Sequence, residues 1–264
     1  MDALVTLTTD FGTRDPWVAS VKGVILGRCP GVTIVDLSHE IAPQDVAEAA
    51  LFLAQAVPWF PPGTIHLVVV DPGVGTERRP IAVRAGGQLL VLPDNGSLAL
   101  LLRRLELEEA RVIGVAADAS ATFHGRDIFA PAAARLACGQ PLRELGPEAG
   151  PLVQLPWPEP RVAISGRSGE AVGEVVHVDR FGNLVSSIHR TAVGAWDCTG
   201  VEIGARSSIP FFRTYGDVAR GELVALWDSA GLLEVAVREG SAAALLGVGR
   251  GVPVRAHVRA PAVR

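Results

Sequence analysis

The sequence predicts an α/β N-terminal domain, with a largely parallel sheet flanked by helices, followed by a mostly antiparallel β domain. In the first half, short apolar runs alternate with helix-like stretches, which is typical of parallel strands buried on both faces. In the second half, short strand-like runs follow one another through turns, and helical periodicity is weak. Four prolines in residues 151–160 separate the two patterns. We therefore assign residues 1–152 to the first domain, 153–160 to a linker and 161–264 to the second domain.

The predicted elements of the first domain end at polar or glycine-containing turns. Apolar, β-branched runs predict strands at Leu4–Thr9, Val32–Leu37, Ile65–Val70 and Leu89–Leu92. A stripe of apolar residues predicts a helix over Pro43–Val57. Ser97 is a suitable N-cap for a further helix that ends near Leu105. Pro131 is a suitable start for another helix.

The second domain shows six strand-like runs and one short helical signal. The strands are predicted at Val162–Ser165, Gly173–Val178, Leu184–Ile188, Glu222–Trp227, Leu232–Val237 and Pro253–Val258. The helix is predicted at Gly240–Leu246. Because turns rather than helices join the runs, the strands are expected to pair in antiparallel order.

Composition excludes some classes of function. The chain has 264 residues, of which 48% are apolar and 20% are charged, so it can bury a substantial core. Its net charge is -4 and no basic stripe is present, which argues against a nucleic-acid partner. No uninterrupted apolar run approaches the roughly 20 residues that span a bilayer, and the first residues do not resemble a signal peptide. We expect a soluble, cytoplasmic protein with no membrane partner.

The three cysteines, Cys29, Cys138 and Cys198, lie far apart in the sequence and have no metal-binding spacing. We interpret them as small apolar side chains of a protein in a reducing compartment.

Polar clusters follow several predicted strands, at the edge where ligands bind in parallel sheets. The first group is Asp10 and Asp15, the second is Asp71 alone, and the third is Asp94 and Asn95. Asp71 precedes the run Pro-Gly-Val-Gly-Thr-Glu-Arg-Arg, whose glycines allow tight turns and close approach of a ligand. The alternative is that Asp71 caps a turn and Arg78 lies on a solvated surface, and the spacing alone favours neither.

His124 lies in a second polar segment, Thr-Phe-His-Gly-Arg-Asp, just before Pro131. This segment is compatible with catalysis or with helix capping, and a lone histidine is more often structural. The aspartates also suggest a metal site, but no HxH, HExxH or DxD spacing supports one.

Residues 179–183, Asp-Arg-Phe-Gly-Asn, form a polar break between two predicted strands. An Asn side chain presents a donor and an acceptor that suit a purine edge, and a Phe ring offers a stacking surface. The alternative is an ordinary hairpin with Gly-Asn turn chemistry, which the local sequence favours. Residues 227–231 form a similar polar break. Neither a Walker A motif nor a GxGxxG fingerprint is present.

Five segments together resemble one family. They are Leu-Thr-Thr-Asp-Phe-Gly at 7–12, Val-Asp-Pro-Gly-Val-Gly-Thr-Glu-Arg-Arg-Pro at 70–80, Pro-Asp-Asn-Gly at 93–96, Thr-Phe-His-Gly-Arg-Asp at 122–127 and Asp-Arg-Phe-Gly-Asn at 179–183. The chain resembles the S-adenosylmethionine (SAM) hydrolases, also called SAM hydroxide adenosyltransferases, which are related to fluorinating and chlorinating SAM enzymes. The segments occur in order and cover nearly the whole chain.

The resemblance implies an N-terminal α/β domain, a C-terminal β domain and hydrolysis of SAM to adenosine and L-methionine, with no cofactor and no metal. It also implies a homotrimer with each site between the N-terminal domain of one subunit and the C-terminal domain of its neighbour. The implied water-activating residues are Asp71, Arg78 and His124. The implied substrate contacts are Asp10 at the ribose, Asp15 and Trp17 at the methionine or ribose end, Asp179 and Ser229 at the methionine amino and carboxylate groups, and Phe181, Asn183 and Tyr215 around adenine.

The halogenating relatives differ from this chain at informative positions. They tend to carry Tyr at the positions of Asp71 and His124, and the fluorinating enzyme has Ser at the position of Gly125 and a loop before residue 93 for which this chain has no room. The halogenase Arg after the Ser that matches Ser229 is Ala230 here, so a carboxylate contact from that position is expected from the backbone.

Three alternatives to SAM hydrolysis follow from the same residues. A SAM-dependent halogenase on this scaffold is disfavoured, because Asp71 repels an anionic nucleophile. A non-catalytic SAM or adenosine sensor needs no water-activating trio. A metal-dependent nucleoside hydrolase would use the aspartate cluster as ligands.

Overall fold

The computed structural model describes residues 3–261. The chain divides between Pro156 and Trp157 into two compact units, and the division falls inside the predicted linker. Val153 is tied to the first unit, since its N–H donates to Asp94 Oδ1 at 2.9 Å.

The first unit contains a six-stranded sheet in the order β2-β1-β3-β5-β4-β6. Its strands are β1 (Leu4–Thr9), β2 (Thr33–Ser38), β3 (Ile65–Val69), β4 (Pro80–Ala85), β5 (Gln88–Pro93) and β6 (Leu107–Val112). Strand β1 runs parallel to β2 and β3, and β3 runs parallel to β5. Strand β4 is antiparallel to β5 and β6. The prediction of a largely parallel sheet is therefore confirmed.

Helices cover both faces of this sheet. They are α1 (Trp17–Arg28), α2 (Val46–Ala56) and α3 (Ala130–Ala137). Leu67 of β3 packs into one core cluster with residues of α1 and α3, and Val68 packs into another with Leu53 of α2. Because successive strand side chains point to opposite faces, β3 is buried on both sides, and this explains its continuous apolar run.

Two predicted helices differ from the structure. The helix expected over Pro43–Val57 begins only at Val46, because Asp45 caps it by accepting a hydrogen bond from the N–H of Glu48 at 2.9 Å. The helix expected from Ser97 to Leu105 is wrong. Turns occupy this segment, with one 3₁₀ turn at Leu101–Arg103. Asn95 Oδ1 accepts the N–H of Ser97 at 3.2 Å, and such local side-chain bonds compete with helix formation.

The second unit is an eight-stranded antiparallel sheet in the order β11-β10-β14-β8-β9-β13-β12, with β7 paired to β8. The strands are β7 (Arg161–Ser165), β8 (Ser168–Val178), β9 (Leu184–His189), β10 (Asp197–Ile203), β11 (Arg206–Pro210), β12 (Leu223–Trp227), β13 (Leu232–Val237) and β14 (Pro253–Arg259). The short helices α4 (Arg190–Val193) and α5 (Ala242–Leu246) join them. A bridge from Phe211 to Ala225 brings the two ends of the sheet together, so the sheet is nearly a barrel. The predicted antiparallel β domain is confirmed.

None of the helices within residues 3–261 is long and apolar enough to cross a membrane.

Candidate active site

The first unit brings Asp71, Arg78 and His124 into direct contact. Asp71 lies just beyond the end of β3, and Arg78 returns to it from the loop that leads into β4. Arg78 Nε donates to Asp71 Oδ1 at 2.8 Å and to Oδ2 at 3.0 Å, and Nη2 also donates to Oδ2. Arg78 Nη2 further donates to His124 Nδ1 at 2.7 Å. The side chains of Asp71 and Arg78 are 5% and 9% exposed, so this is a largely desolvated ion pair.

A π-helical turn positions His124. The turn spans Gly125–Phe129, continues into α3 and has His124 immediately before it. Gly125 allows this turn to approach the end of β3, because a Cβ there would lie 3.3 Å from Val69 Cγ1 and 3.4 Å from Phe11 Cζ. π-Helical turns of this kind occur frequently at functional sites.

The hydrogen bond from Arg78 fixes the protonation of His124. A guanidinium only donates, so Nδ1 must be the acceptor and the proton of a neutral ring lies on Nε2. Burial lowers the pKa of His124 below its ordinary value, and the Arg78 charge lowers it further, against smaller opposing effects of Asp71 and Asp127. His124 is therefore neutral at pH 7 and presents an N–H donor at Nε2.

Arg78 has one nitrogen, Nη1, left to donate to a ligand. Its Nη1 is buried and has no hydrogen-bond partner among residues 3–261. The guanidinium carbon lies 5.1 Å from the centre of the Phe129 ring, within the range of a cation–π interaction. A buried guanidinium nitrogen without a partner is costly unless an oxygen ligand accepts its hydrogen bond.

The neighbouring Pro-Asp-Asn-Gly segment holds the backbone next to Asp71 in place. The sequence alone showed this segment only as a polar cluster. Asn95 Nδ2 donates to the carbonyl of Val70 at 2.9 Å, next to Asp71. Asp94 accepts from Arg79 Nε at 3.0 Å, and Arg79 also donates to the carbonyl of Pro151 at 2.7 Å. The two adjacent arginines therefore have different partners. Arg78 donates to Asp71 and His124, whereas Arg79 donates to Asp94 and to the carbonyl of Pro151.

The remaining predicted residues of the first unit lie around the end of β1. Asp10 Oδ2 accepts the N–H of Gln44 at 2.8 Å, while Asp15 is exposed. The Trp17 ring packs edge-on against Phe123, with 5.3 Å between ring centroids. Because Phe123 directly precedes His124, this aromatic contact links Trp17 to the trio.

In the second unit, the turn at residues 179–183 joins β8 to β9, as predicted. Asp179 Oδ1 accepts the N–H groups of Phe181 and Asn183 at 2.8 and 2.9 Å, and Asn183 Nδ2 donates to Asp179 Oδ2 at 2.9 Å. The turn chemistry of the alternative interpretation is therefore present. In this turn Phe181 is 75% exposed. The Asn183 side chain bonds Asp179 through its nitrogen, and its oxygen takes no part in these hydrogen bonds.

A buried glutamate that sequence reasoning missed lies beside Tyr215. The Tyr215 hydroxyl donates to Glu234 Oε1 at 2.7 Å, and Glu234 is 4% exposed. The pKa of Glu234 is raised to about 7, mainly by burial. The carboxyls of Asp179 and Asp228 also raise this pKa, whereas the hydrogen bond from Tyr215 lowers it. The available signal was a charged residue at an inward position of the apolar run Leu-Leu-Glu-Val-Ala-Val.

The Asp228 side chain holds the turn from residue 228 to 231. Ser229 is exposed, but Asp228 Oδ1 accepts the N–H groups of Ala230 and Leu232, both at 2.8 Å. The N–H of Ala230 therefore donates to Asp228 in this turn, and the expected backbone contact of Ala230 with a carboxylate stays a prediction.

Comparison with known proteins decides the family. Residues 5–146 match the model of the SAM hydroxide adenosyltransferase N-terminal domain, and residues 173–255 match that of the C-terminal domain. The chain belongs to the SAM hydroxide adenosyltransferase family. Among relatives of this chain, the (R)-S-adenosyl-L-methionine hydrolase of Thermus thermophilus is 47% identical, over 95% of this chain and 98% of the relative. The protein of the same name from Salinispora tropica is 44% identical, over 95% and 96% of the two chains.

Halogenating enzymes are more distant relatives of this chain. The fluorinase of Actinopolyspora mzabensis is 28% identical over 96% of both chains. Among solved structures, an uncharacterized conserved protein from Thermotoga maritima superposes with a TM-score of 0.85 and 35% identity, covering 96% of this chain and 99% of the other. A conserved hypothetical protein from Thermus thermophilus superposes with a TM-score of 0.77 and 42% identity, covering 96% of this chain and 99% of the other.

Within the described residues, no group of three or more His, Cys, Asp or Glu side chains is arranged to hold a metal ion.

Proposed function

We propose that the chain hydrolyses SAM to adenosine and L-methionine by attack of water or hydroxide on the ribose C5′. The observation that carries this proposal is the buried Arg78, which joins Asp71 to His124 and keeps Nη1 available for an oxygen ligand. The names of the relatives at 47% and 44% identity support the same reaction.

The chemistry of the sulfonium explains why this small set of groups is sufficient. Methionine leaves as a neutral thioether, so the leaving group needs no acid, and the site must mainly supply an oriented oxygen nucleophile. In our proposal Arg78 holds that oxygen through Nη1 and favours its hydroxide form electrostatically. His124 orients it as a donor at Nε2, because Nδ1 already accepts from Arg78. The proton of the attacking water reaches Asp71 through a bridging water, because the Asp71 carboxylate lies on the Nε and Nη2 edge of Arg78 and away from Nη1.

Incubation of the purified chain with SAM tests the proposal directly. We expect adenosine and methionine in equal amounts by chromatography, and absence of adenosine would contradict the proposal. The relatives are named for the (R) form, so we propose the same preference here. Parallel assays with both sulfonium epimers test this finer statement, and faster turnover of the (S) form would contradict it.

The same assay separates the two SAM-binding alternatives. A halogenase would convert SAM to a 5′-halogenated adenosine when chloride or fluoride is supplied. We expect none, because a halide brings its negative charge to the ionised, buried Asp71, whereas hydroxide forms only as Asp71 takes up the proton of the bound water. A sensor would bind SAM without consuming it, so calorimetric titration with unchanged SAM at the end would favour that alternative.

We propose that the reaction requires no metal and no cofactor, since the sulfonium is already an activated leaving group. Full activity in EDTA is the expected result, and it would also exclude the metal-dependent nucleoside hydrolase. Loss of activity in EDTA with recovery on addition of a divalent cation would contradict metal independence.

We propose a homotrimer in which each site combines the first unit of one subunit with the second unit of its neighbour, as the family resemblance implies. Co-expression of an Asp71→Asn chain with an Asn183→Ala chain tests this arrangement. Mixed trimers would contain sites in which both units are intact, so at SAM concentrations well below the wild-type KM the activity per chain is expected to exceed that of either variant alone. Additive, uncomplemented activity would contradict shared sites, and a monomeric mass by light scattering would contradict the trimer.

We further propose that the protein is cytoplasmic. Its three cysteines are unpaired, which suits a reducing compartment. Fractionation of the source cells tests this, and recovery outside the cytoplasm would contradict it.

Replacement of Asn183 by Ala is expected to raise KM for SAM about 10-fold, with a smaller effect on kcat, because its contacts would be made equally in the ground and transition states. Asn183 also bonds Asp179, so Asn183→Asp provides a second variant that keeps the side-chain size. Steady-state kinetics check the effect. An unchanged KM with intact adenosine affinity would place adenine elsewhere.

A further inference from the structure

Glu234 is a buried acid that the proposed reaction does not use. It lies on β13 between β9 and β12, opposite Val185 and Leu226. A carboxyl that is 4% exposed on an apolar strand costs free energy unless its partners compensate for lost hydration. Its identified partner is the hydroxyl of Tyr215, at 2.7 Å.

Tyr215 connects this buried acid to the surface. The residue begins a short 3₁₀ turn and is 42% exposed, while its hydroxyl reaches inward to Glu234. The Asp179 and Asp228 carboxyls act electrostatically on both Tyr215 and Glu234. The Tyr215 hydroxyl is therefore within electrostatic range of the two turns that carry the predicted substrate contacts of this unit.

We propose that Glu234 is a positioning residue for the nucleoside, holding the Tyr215 hydroxyl so that the exposed ring keeps one orientation at the adenosine-binding surface. The inference rests on the proposed function, because Tyr215 is a predicted adenine contact of a chain that binds SAM. A phenol held at its hydroxyl end loses little further rotational freedom when a purine stacks on it, so the pairing lowers the cost of binding. An ionised Glu234 strengthens the hydrogen bond, since a carboxylate is the better acceptor.

The pairing is expected to depend on pH near neutrality. The titratable groups acting on Glu234 are Tyr215 from the 3₁₀ turn, Asp179 from the β8–β9 turn and Asp228 from the β12–β13 turn. His189, at the end of β9, acts on Asp228. Burial raises the pKa of Glu234 to about 7, so ionisation proceeds as pH rises through this value. Nucleoside affinity is expected to increase over the same interval, and to lose this dependence in Glu234→Gln.

Tyr215 provides a direct probe, because it is the only tyrosine in the chain. Protein labelled with ¹³C at tyrosine Cζ gives one tyrosine resonance. In the wild type it is expected to shift with a midpoint near pH 7, and in Glu234→Gln this step is expected to be absent. Absence of the step in the wild type, or its persistence in Glu234→Gln, would overturn the proposal.

Calorimetric titration of adenosine measures the positioning effect in every variant, including Tyr215→Phe, which has no tyrosine resonance. We expect Glu234→Ala and Tyr215→Phe each to raise the adenosine Kd about 10-fold, and the double variant to be no weaker than either single variant. KM for SAM is expected to rise by a similar factor while kcat stays within about threefold. Glu222→Gln is the control, since Glu222 bonds the N–H of Ala219 on the same unit and not Tyr215.

The outcomes separate this proposal from the proposed function. Wild-type adenosine affinity in Glu234→Ala would overturn the positioning role, as would a tyrosine resonance that adenosine does not shift. If the wild type fails to consume SAM but the resonance titrates and adenosine binding weakens as described, the hydrolase proposal fails and the positioning role stands. Glu234→Gln keeps the size of the side chain and one acceptor oxygen. If Glu234→Ala does not fold, the adenosine affinity of Glu234→Gln is compared with that of the wild type instead.

Discussion

Asp71→Asn is expected to lower kcat for SAM by about 10²-fold or more. The amide keeps the shape of the side chain but removes the charge that faces Arg78 and the group that takes the proton of the attacking water. Adenosine binding is expected to change little, because Asp71 belongs to the trio and not to the predicted adenine contacts. Steady-state kinetics and calorimetric titration with adenosine measure the two effects separately.

Loss of folding stability must be distinguished from loss of chemistry in this experiment. Removing one partner of a buried ion pair costs about 3–5 kcal/mol, and the Asp71 side chain is 5% exposed. Asp94→Asn is a matched control, since Asp94 is buried and pairs with Arg79 in the same unit. Urea denaturation is expected to show a loss in both variants, and only Asp71→Asn is expected to lose kcat at full folding. Wild-type kcat in Asp71→Asn would remove Asp71 from the trio.

Arg78→Lys is also expected to be nearly inactive, with kcat lowered by about 10²–10³-fold. A guanidinium donates to Asp71, His124 and a third acceptor in one plane, while an ammonium is a compact charge that cannot reproduce this fork. If Arg78 stabilises hydroxide, the rate of the variant is expected to keep rising at alkaline pH, where bulk hydroxide replaces the hydroxide lost from the site. The pH profile of kcat measures this.

Arg79→Lys is the control for this substitution, since Arg79 is the adjacent residue and bonds Asp94 and the carbonyl of Pro151 instead. It is expected to reduce stability with little effect on the shape of the pH profile. Near-wild-type activity of Arg78→Lys at neutral pH, with an unchanged profile, would show that Arg78 only pairs with Asp71 to hold the loop. Asp71 and His124 would then need another source of nucleophile stabilisation.

The predicted strands of both units were mostly correct because burial on a strand is recorded locally, in the type and spacing of side chains. Leu4–Thr9 and Leu232–Val237 match β1 and β13 in full. The failed helix at Ser97–Leu105 shows the limit of that signal. Its apolar residues do enter the core, but the Asn95 side chain bonds the N–H of Ser97 and favours turns over a helix.

The sequence by itself therefore determined the two-part α/β and β architecture and, through its motifs taken together, the residues to examine. Only the tertiary structure showed the hydrogen bonds by which Arg78 joins Asp71 to Nδ1 of His124, and that Glu234 accepts a hydrogen bond from Tyr215. The physical reason is that periodicity specifies which face of a strand or helix is buried. Hydrogen-bond partners depend on positions fixed to a fraction of an ångström by loops that join distant parts of the chain, and on the loss of water around each charge.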